Sequence, residues 1–349
     1  MTLPLRLPLA PMLAKSVDVI PTGGDFAYEP KWDGFRCIVG RDGDQLVLDS
    51  RGRKPLTGYF PEVVAALGRW MPDGMIADGE LVVRTGAAGA ERLDWTALSQ
   101  RIHPAASRVA RLAAETPAEL ILFDLLAEGG DDLTSLGWQE RRDRLDAFFA
   151  AREDHPSVHL SRWTDEPDLA ARWFTGFEGA GLDGIVAKDR RGVYEPGKRG
   201  WLKVKHHRTA EAVVVGYRVH KRGHGVGSLL LGLYTDDGTL VPIGGIGALP
   251  DQLRDSLEHE LAPLVVRDDT GTPITLERPR SRFQAADDPQ AVALRPELVV
   301  EVAFDQLEGY RFRHAVTLLR FRPDRQPASC LLEQVERAPA YDLARVFAD

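Results

Sequence analysis

Two domains are predicted, an α+β domain over residues 1–207 followed by an all-β barrel of the OB-fold kind over 208–349. Three observations carry this. The chain has 349 residues, enough for two domains at roughly 150 residues each. Up to residue 207, strand-like and helix-like runs alternate. Beyond it, short β-rich runs interrupted by one helical run take over, which is the pattern of a small Greek-key barrel.

Taken in order, apolar-rich runs at 34–41 and 45–50 flank Asp42-Gly43, a strong hairpin signal. Residues 59–70 (YFPEVVAALGRW) have helical spacing, 75–84 reads as a strand, and 94–114 reads as two short helices broken at Pro104. The run 120–127 is apolar throughout and reads as a buried strand. Charged amphipathic helices follow near 137–151 and 166–178, then strands at 184–188 and 201–205. In the second part the strand runs are AVVVGYR, SLLLGLYT, TLVPIGGIG, LVVEVAFDQ and HAVTLLRFR, with a helix near 250–262. No internal repeat interrupts this order.

Composition removes several classes of function. No window approaches the roughly 18 consecutive apolar residues of a membrane span, and Pro4, Pro8 and Pro11 spoil the apolar start as a signal-peptide helix, so a cytoplasmic protein is expected. Two cysteines, Cys37 and Cys330, can build neither a disulfide framework nor a four-ligand zinc site. A G-x-x-x-x-G-K-[ST] loop is absent, and Gly223-x-Gly225-x-Gly227 and Gly244-Gly245-Ile246-Gly247 lack the spacing of a phosphate loop and read as hairpin turns. His206-His207 has no HExxH-type partner.

The net charge of −8 disfavours a polyanionic partner only on average, because a polyanion responds to the local field. Residues 188–222 hold eleven basic against three acidic side chains, and 311–325 hold five against one. Only eight of the 44 basic residues are lysines, at 15, 31, 54, 188, 198, 203, 205 and 221. Arginine stays charged, whereas a lysine amine can become a nucleophile, so these few positions are candidates for chemistry.

One lysine stands in Glu29-Pro30-Lys31-Trp32-Asp33-Gly34-Phe35-Arg36. This segment resembles the nucleotidyl-lysine signature K-x-D-G-x-R of the covalent nucleotidyltransferases. The other motifs of that superfamily follow in order: Ser50-Arg51-Gly52, Asp78-Gly79-Glu80, Phe123-Asp124, Leu182 to Lys188 (LDGIVAK), Trp201 to Lys205 (WLKVK), and Arg320 to Arg325 (RFRPDR). PMLAKSV, DWTALSQRIHPAASR and KHHRTAEAVVVGYR look specifically like the small bacterial ATP-dependent DNA ligases of the C type. The resemblance spans essentially the whole chain.

That resemblance implies an ATP-grasp-like adenylation domain, a hinge near 206–210, and an OB-fold domain that closes over the nucleotide and later over nicked duplex DNA. It makes Lys31 the nucleophile that takes AMP from ATP. A neutral ε-amine is needed, and nearby cations lower a lysine pKa; Lys203 and Lys205, on one face of a strand, supply such a field and neutralise phosphate charge. The resemblance assigns Glu29 to the adenine edge, Phe123 to stacking on the purine, Arg36 and Arg51 to sugar or phosphate, and Glu80 to the ribose or a metal. Asp183 occupies the usual Glu position and is a Mg²⁺ (or Mn²⁺) ligand, with a bridging water able to absorb the missing methylene. Arg322, Asp324 and Arg325 orient the leaving pyrophosphate, Arg325 standing where many relatives have Lys.

The implied activity is ATP-dependent sealing of DNA nicks in repair by a monomer, with a repair polymerase or DNA-end-binding protein as possible partners. Two related activities, RNA ligation and GMP transfer to RNA ends by a capping guanylyltransferase, share the lysine motif. A non-catalytic OB-type DNA-binding protein would share only the basic runs and the β-rich second part, and would have no use for Lys31.

Overall fold

The computed structural model describes residues 3–206, 208–221, 224–276, 291–305, 307–308, 310–335 and 341–348. The chain divides into two compact units, one of Met1–Lys205 with Ala338–Asp349, the other of His206–Arg337.

Two sheets organise the first unit. The larger runs in the order Gln45–Ser50, Phe35–Asp42, Ile76–Thr85, Ala118–Glu128, Asp131–Asp132, with short strands Arg92–Leu93 and Val158–Leu160 added to its longer members. The smaller places Arg199–Lys205 between Leu13–Ser16 and Gly184–Asp189, and Phe26–Pro30 on the outer side of Gly184–Asp189. Ile38, Ile121 and Phe123 from the larger sheet share a core with Tyr28, Ile185 and Trp201 from the smaller. Alternation sends Val39, Leu120 and Leu122 to the opposite face, where Leu67 of helix Pro61–Trp70 and Leu145 and Phe148 of helix Trp138–Ala150 cover them.

Local chemistry accounts for the elements. The first hairpin turns at Gly43-Asp44, one residue later than expected, because Asp42 still pairs with Gln45 and Gly43 supplies the left-handed φ of +59°. Pro61 opens its helix, where the missing N–H costs nothing. The Asp94 carboxylate accepts from the Ala97 N–H at 2.8 Å and starts Trp95–Gln100, and the next helix, Ala106–Glu115, begins only after Pro104.

In the second unit the strands run Leu240–Ile246, Val226–Tyr234, Arg208–Val219, Ala291–Phe304, Thr275–Leu276, and Thr317–Phe321 also pairs with Ala291–Phe304. Helix Asp251–Leu261 contributes Leu257 and Leu261 to a core shared with Val213, Leu229, Ile243 and Val300, as expected of an OB-fold. The expected bounds of this domain are 208–349. The helix Leu343–Ala348 instead joins the first unit: Leu343 and Val346 enter the inter-sheet core and Phe347 stacks on Trp32 at 5.2 Å. Its apolar residues reveal that it packs, but not on which core.

A buried ion pair ties the larger sheet to helix Trp138–Ala150. Arg141 forks onto Asp124 at 2.7 and 3.0 Å, with the two side chains 0% and 1% exposed. Arg141→Met should therefore lower unfolding free energy by about 3–5 kcal/mol, because it strands a buried carboxylate. Adding Asp124→Leu should recover much of that loss in the same denaturant titration.

Candidate active site

Lys31 follows the strand Phe26–Pro30 and is held through its backbone on both sides. Its N–H donates to the Gly184 carbonyl at 2.8 Å, and its carbonyl accepts from the Asp183 N–H at 3.0 Å. The ammonium donates to Asp183 Oδ2 at 2.6 Å, and Lys205 Nζ lies 2.9 Å from the same oxygen. Burial acts to raise the Asp183 carboxyl, but the Lys31 and Lys205 ammoniums outweigh it and hold the group below its usual range.

Strand register delivers the other lysines. Gly184 pairs with Lys205, and Val186 pairs with both Lys203 and Glu29. Paired residues share a face, so Glu29, Lys203 and Lys205 stand on one side of the smaller sheet together with Lys188, two positions beyond Val186. Burial, and then the charges of Lys205, Lys31 and Arg51, push the Lys203 ammonium down. Two motif glycines are dictated by backbone proximity: a Cβ on Gly34 would meet the Leu81 carbonyl oxygen at 2.0 Å, and one on Gly184, which has φ +133°, would meet that of Val204 at 2.0 Å.

Arg36 stands opposite Glu80 in the larger sheet. Its guanidinium forks onto Asp78, both contacts at 2.5 Å, and donates to the Met12 carbonyl at 3.2 Å. The Tyr194 hydroxyl donates to Asp78 Oδ2 at 2.5 Å and accepts from the Met12 N–H at 2.9 Å. Asp78 is fully buried, so this network sets the plane of the Arg36 fork. Glu80 Oε1 accepts from the Gly34 N–H at 3.2 Å, and burial raises its carboxyl to about 7 against the pull of Arg36 and Lys31.

Phe123 is the extra residue of a β-bulge, since Asp78 pairs with Asp124 and Gly79 with Leu122. Bulges re-aim side chains, and this one turns Phe123 into the inter-sheet core, edge-on to Trp201 at 6.2 Å. Arg36 Cζ and Lys188 Nζ each lie 4.7 Å from its ring centroid, drawn by the negative ring face. Lys188 is buried and donates to Glu29 Oε1 at 2.7 Å and to the Phe123 carbonyl at 3.3 Å. Burial raises the Glu29 carboxyl and lowers the Lys188 ammonium, each opposed by its partner's charge.

Glu29, Arg36, Glu80, Phe123, Lys203 and Lys205 thus belong to the two sheets of one unit, with Lys31 just after one strand, Asp183 just before another and Arg51 exposed at the turn after Gln45–Ser50. Arg322, Asp324 and Arg325 stand in the second unit. There Arg322 forks onto Asp324 at 3.0 and 2.9 Å, Arg325 Nε lies 2.5 Å from Glu211 Oε2, and Arg322 also pairs with Glu211. The hydrogen bond from Arg322 pulls the Asp324 carboxyl down to about 2.

The basic stretch 188–222 is not one continuous surface track. Lys188 is buried, Lys205 faces Asp183, and Arg190 donates to Gln139, Asp25 and Asp165. Burial and acidic partners take these cations out of a surface track, which a count along the chain cannot register. Arg222, the last of that stretch, His207 of the expected hinge, and Gly223 lie outside the described residues.

Sequence reasoning gave no site role to Asp78, Lys188, Tyr194 and Trp201. Three of them sit inside motifs already quoted, where a charged or aromatic residue within an apolar strand run was the available signal. Tyr194 had none, because its partners Met12 and Asp78 are remote in sequence.

Comparison with known proteins agrees with this geometry. A family model described as "ATP dependent DNA ligase domain" matches residues 11–205, and one described as "ATP dependent DNA ligase C terminal region" matches 222–325. DNA ligase C1 of Mycolicibacterium smegmatis and DNA ligase C of Mycobacterium tuberculosis are each 48% identical, over 99% of this chain and 99% of theirs. A solved structure from a study of DNA binding by Lig E DNA ligases has a TM-score of 0.55 at 17% identity, covering 89% of this chain and 99% of that one, a likeness of fold. Matched in both units and along nearly its whole length, the chain belongs to the ATP-dependent DNA ligases, enzymes that join DNA at the expense of ATP.

Proposed function

We propose that Lys31 carries the ligation chemistry through three in-line displacements at phosphorus. The observation that supports this most is its ammonium, held against Asp183 Oδ2 beside Lys205, with Lys203 on the same sheet face. In the first step the Lys31 amine, having released a proton to solvent, attacks the α-phosphorus of ATP; the P–N bond forms, the P–O bond to the β-phosphate breaks, and pyrophosphate leaves. In the second, a 5′-phosphate oxygen at the nick takes the AMP and the P–N bond breaks. In the third, the 3′-hydroxyl attacks that 5′-phosphate, a phosphodiester forms and AMP departs. Lys203 and Lys205 neutralise charge as it builds on the phosphate oxygens, and their fixed strand positions avoid reorganisation during the step.

The roles of the remaining residues belong to the same proposal. Glu29 takes the adenine edge and Phe123 the purine face, where Arg36 and Lys188 already lie against the ring. Arg36 and Arg51 hold sugar and phosphate; Arg322, Asp324 and Arg325 orient the pyrophosphate. Among the described residues no group of three or more His, Cys, Asp or Glu gathers as a metal cage. Asp183, against the Lys31 ammonium, and Glu80, on the Gly34 N–H three residues further on, are nevertheless hard oxygen donors, which fits Mg²⁺, or Mn²⁺, shared between one or two carboxylates, water and substrate phosphates. Bound there, the ion would supply charge neutralisation at phosphate oxygens.

Among the described residues no helix is long and apolar enough to cross a membrane. We place the enzyme in DNA repair, as a cytoplasmic, nucleoid-associated monomer with a repair polymerase or a DNA-end-binding protein as its partner. The class of reaction supports this reading, since sealing is the last step of any repair that replaces nucleotides.

Lys31→Arg keeps the charge beside Asp183 and removes the nucleophile. It should retain the folded circular-dichroism spectrum while losing both label from α-³²P-ATP and nick sealing; retained label would refute the assignment.

Asp324→Ala combined with Arg325→Ala should block adenylation of Lys31 yet spare sealing of a nick that already carries AMP, because pyrophosphate exists only in the first step. An exposed pair worth about 0–1 kcal/mol would leave both steps intact. A pair that merely supports the barrel would damage both, so the comparison of single-turnover labelling with pre-adenylated sealing decides among the three.

A further inference from the structure

In the barrel ladder Glu211 stands directly opposite Glu301, and Glu301 opposite Arg320. Like charges facing each other across a ladder are destabilising, so two adjacent carboxylates need compensation. The compensation comes from the terminal motif. Glu211 bridges Arg322 and Arg325, the latter at 2.5 Å, while Glu301 takes Arg320 at 2.6 Å and lies 3.5 Å from Arg322. With Asp324 on the far side of Arg322, three guanidiniums interleave with three carboxylates.

The backbone of Glu211 is also fixed. Its N–H donates to Gln334 Oε1 at 2.9 Å, and its carbonyl accepts from Gln334 Nε2 at 3.0 Å. Gln334 belongs to the short helix Leu332–Val335, whose Val335 enters the barrel core. The chain from core to carboxylate is therefore rigid, and the Glu211 side chain is only 17% exposed, whereas Arg325 is 43% exposed and Asp324 64%. The buried end of this cluster is the Glu211 carboxylate with Arg322, and the solvent end is Asp324 and Arg325.

We propose that Glu211 is a positioning residue for the first chemical step: it holds the Arg322 and Arg325 guanidiniums together and aimed, so that the charge leaving with pyrophosphate meets preorganised donors. Without it, two cations close to each other repel and spread, and the cost of gathering them returns to the transition state. The inference rests on the pyrophosphate role given above to Arg322, Asp324 and Arg325.

The test compares Glu211→Gln, which keeps shape and removes charge, with Arg325→Ala and with the double variant. For each, one measures single-turnover labelling of Lys31 across ATP concentrations, single-turnover sealing of a pre-adenylated nick, and the melting temperature. The expected result for Glu211→Gln is an adenylation rate at saturating ATP lower by about tenfold or more, the range of a lost electrostatic contact in a reaction step. Sealing should stay within about twofold, and the double variant should be slowed by clearly less than the product of the two single effects, because both act through Arg325.

Equal loss of both steps would overturn the proposal, leaving Glu211 as a support of the barrel. Unchanged or faster adenylation by Glu211→Gln, with Arg325→Ala slow, would overturn it while leaving the pyrophosphate role standing. Full adenylation by Arg325→Ala would overturn the pyrophosphate role itself and the positioning role with it.

Discussion

Asp183 Oδ2 is shared by two lysines from different strands, and much of the site's order follows from that one oxygen. Lys31 reaches it from the end of one strand, Lys205 from the end of another, and Asp183 sits at the start of the strand between them. The ammoniums of Lys31 and Lys205 are thereby fixed relative to each other. One carboxylate oxygen thus gathers two cations that would otherwise repel each other. The close backbone approach at Gly184 serves this arrangement, since a side chain there would force apart the strand that follows Asp183 and the strand that carries Lys205, while the approach at Gly34 seats the segment after Lys31 against the Leu81 carbonyl of the larger sheet.

Around this centre the fold keeps Arg36, Glu80 and Phe123 on the larger sheet, facing the smaller one across a common core. Their rigidity has separate causes. Asp78, Tyr194 and Met12 lock Arg36; a bulge aims Phe123; burial leaves Glu80 with a carboxyl titrating at about 7, so its charge near neutral pH responds to whatever cation lies beside it. The neighbour of Lys31 is braced too: Trp32 donates to Ser161 Oγ at 2.9 Å and stacks on Phe347. A lysine held through both its own backbone and its neighbour's ring has little freedom left to lose.

Much of this was legible in the sequence, and what was not has identifiable causes. Local periodicity located most helices and strands, because alternation and the 3.6-residue period are properties of neighbouring residues. The short strands Leu13–Ser16 and Phe26–Pro30 escaped, being stabilised by pairing with residues far along the chain rather than by their own pattern. Motif order pointed to Lys31, Lys203 and Lys205 because reactive chemistry restricts residue type. Tyr194 and the direction of the helix Leu343–Ala348 were hidden, since each depends on which distant surface a side chain meets. The count of positive charge at 188–222 does not register that Lys188 is buried and that Lys205 pairs with Asp183.

Residence of the covalent nucleotide on Lys31 is tested by peptide mapping of the unsubstituted enzyme after incubation with ATP. Tandem mass spectrometry of the digested protein should place one AMP, in an acid-labile P–N linkage, on the peptide spanning Lys31, with the label released by pyrophosphate. An AMP on Lys188, Lys203 or Lys205, or an acid-stable linkage to a hydroxyl, would contradict the account.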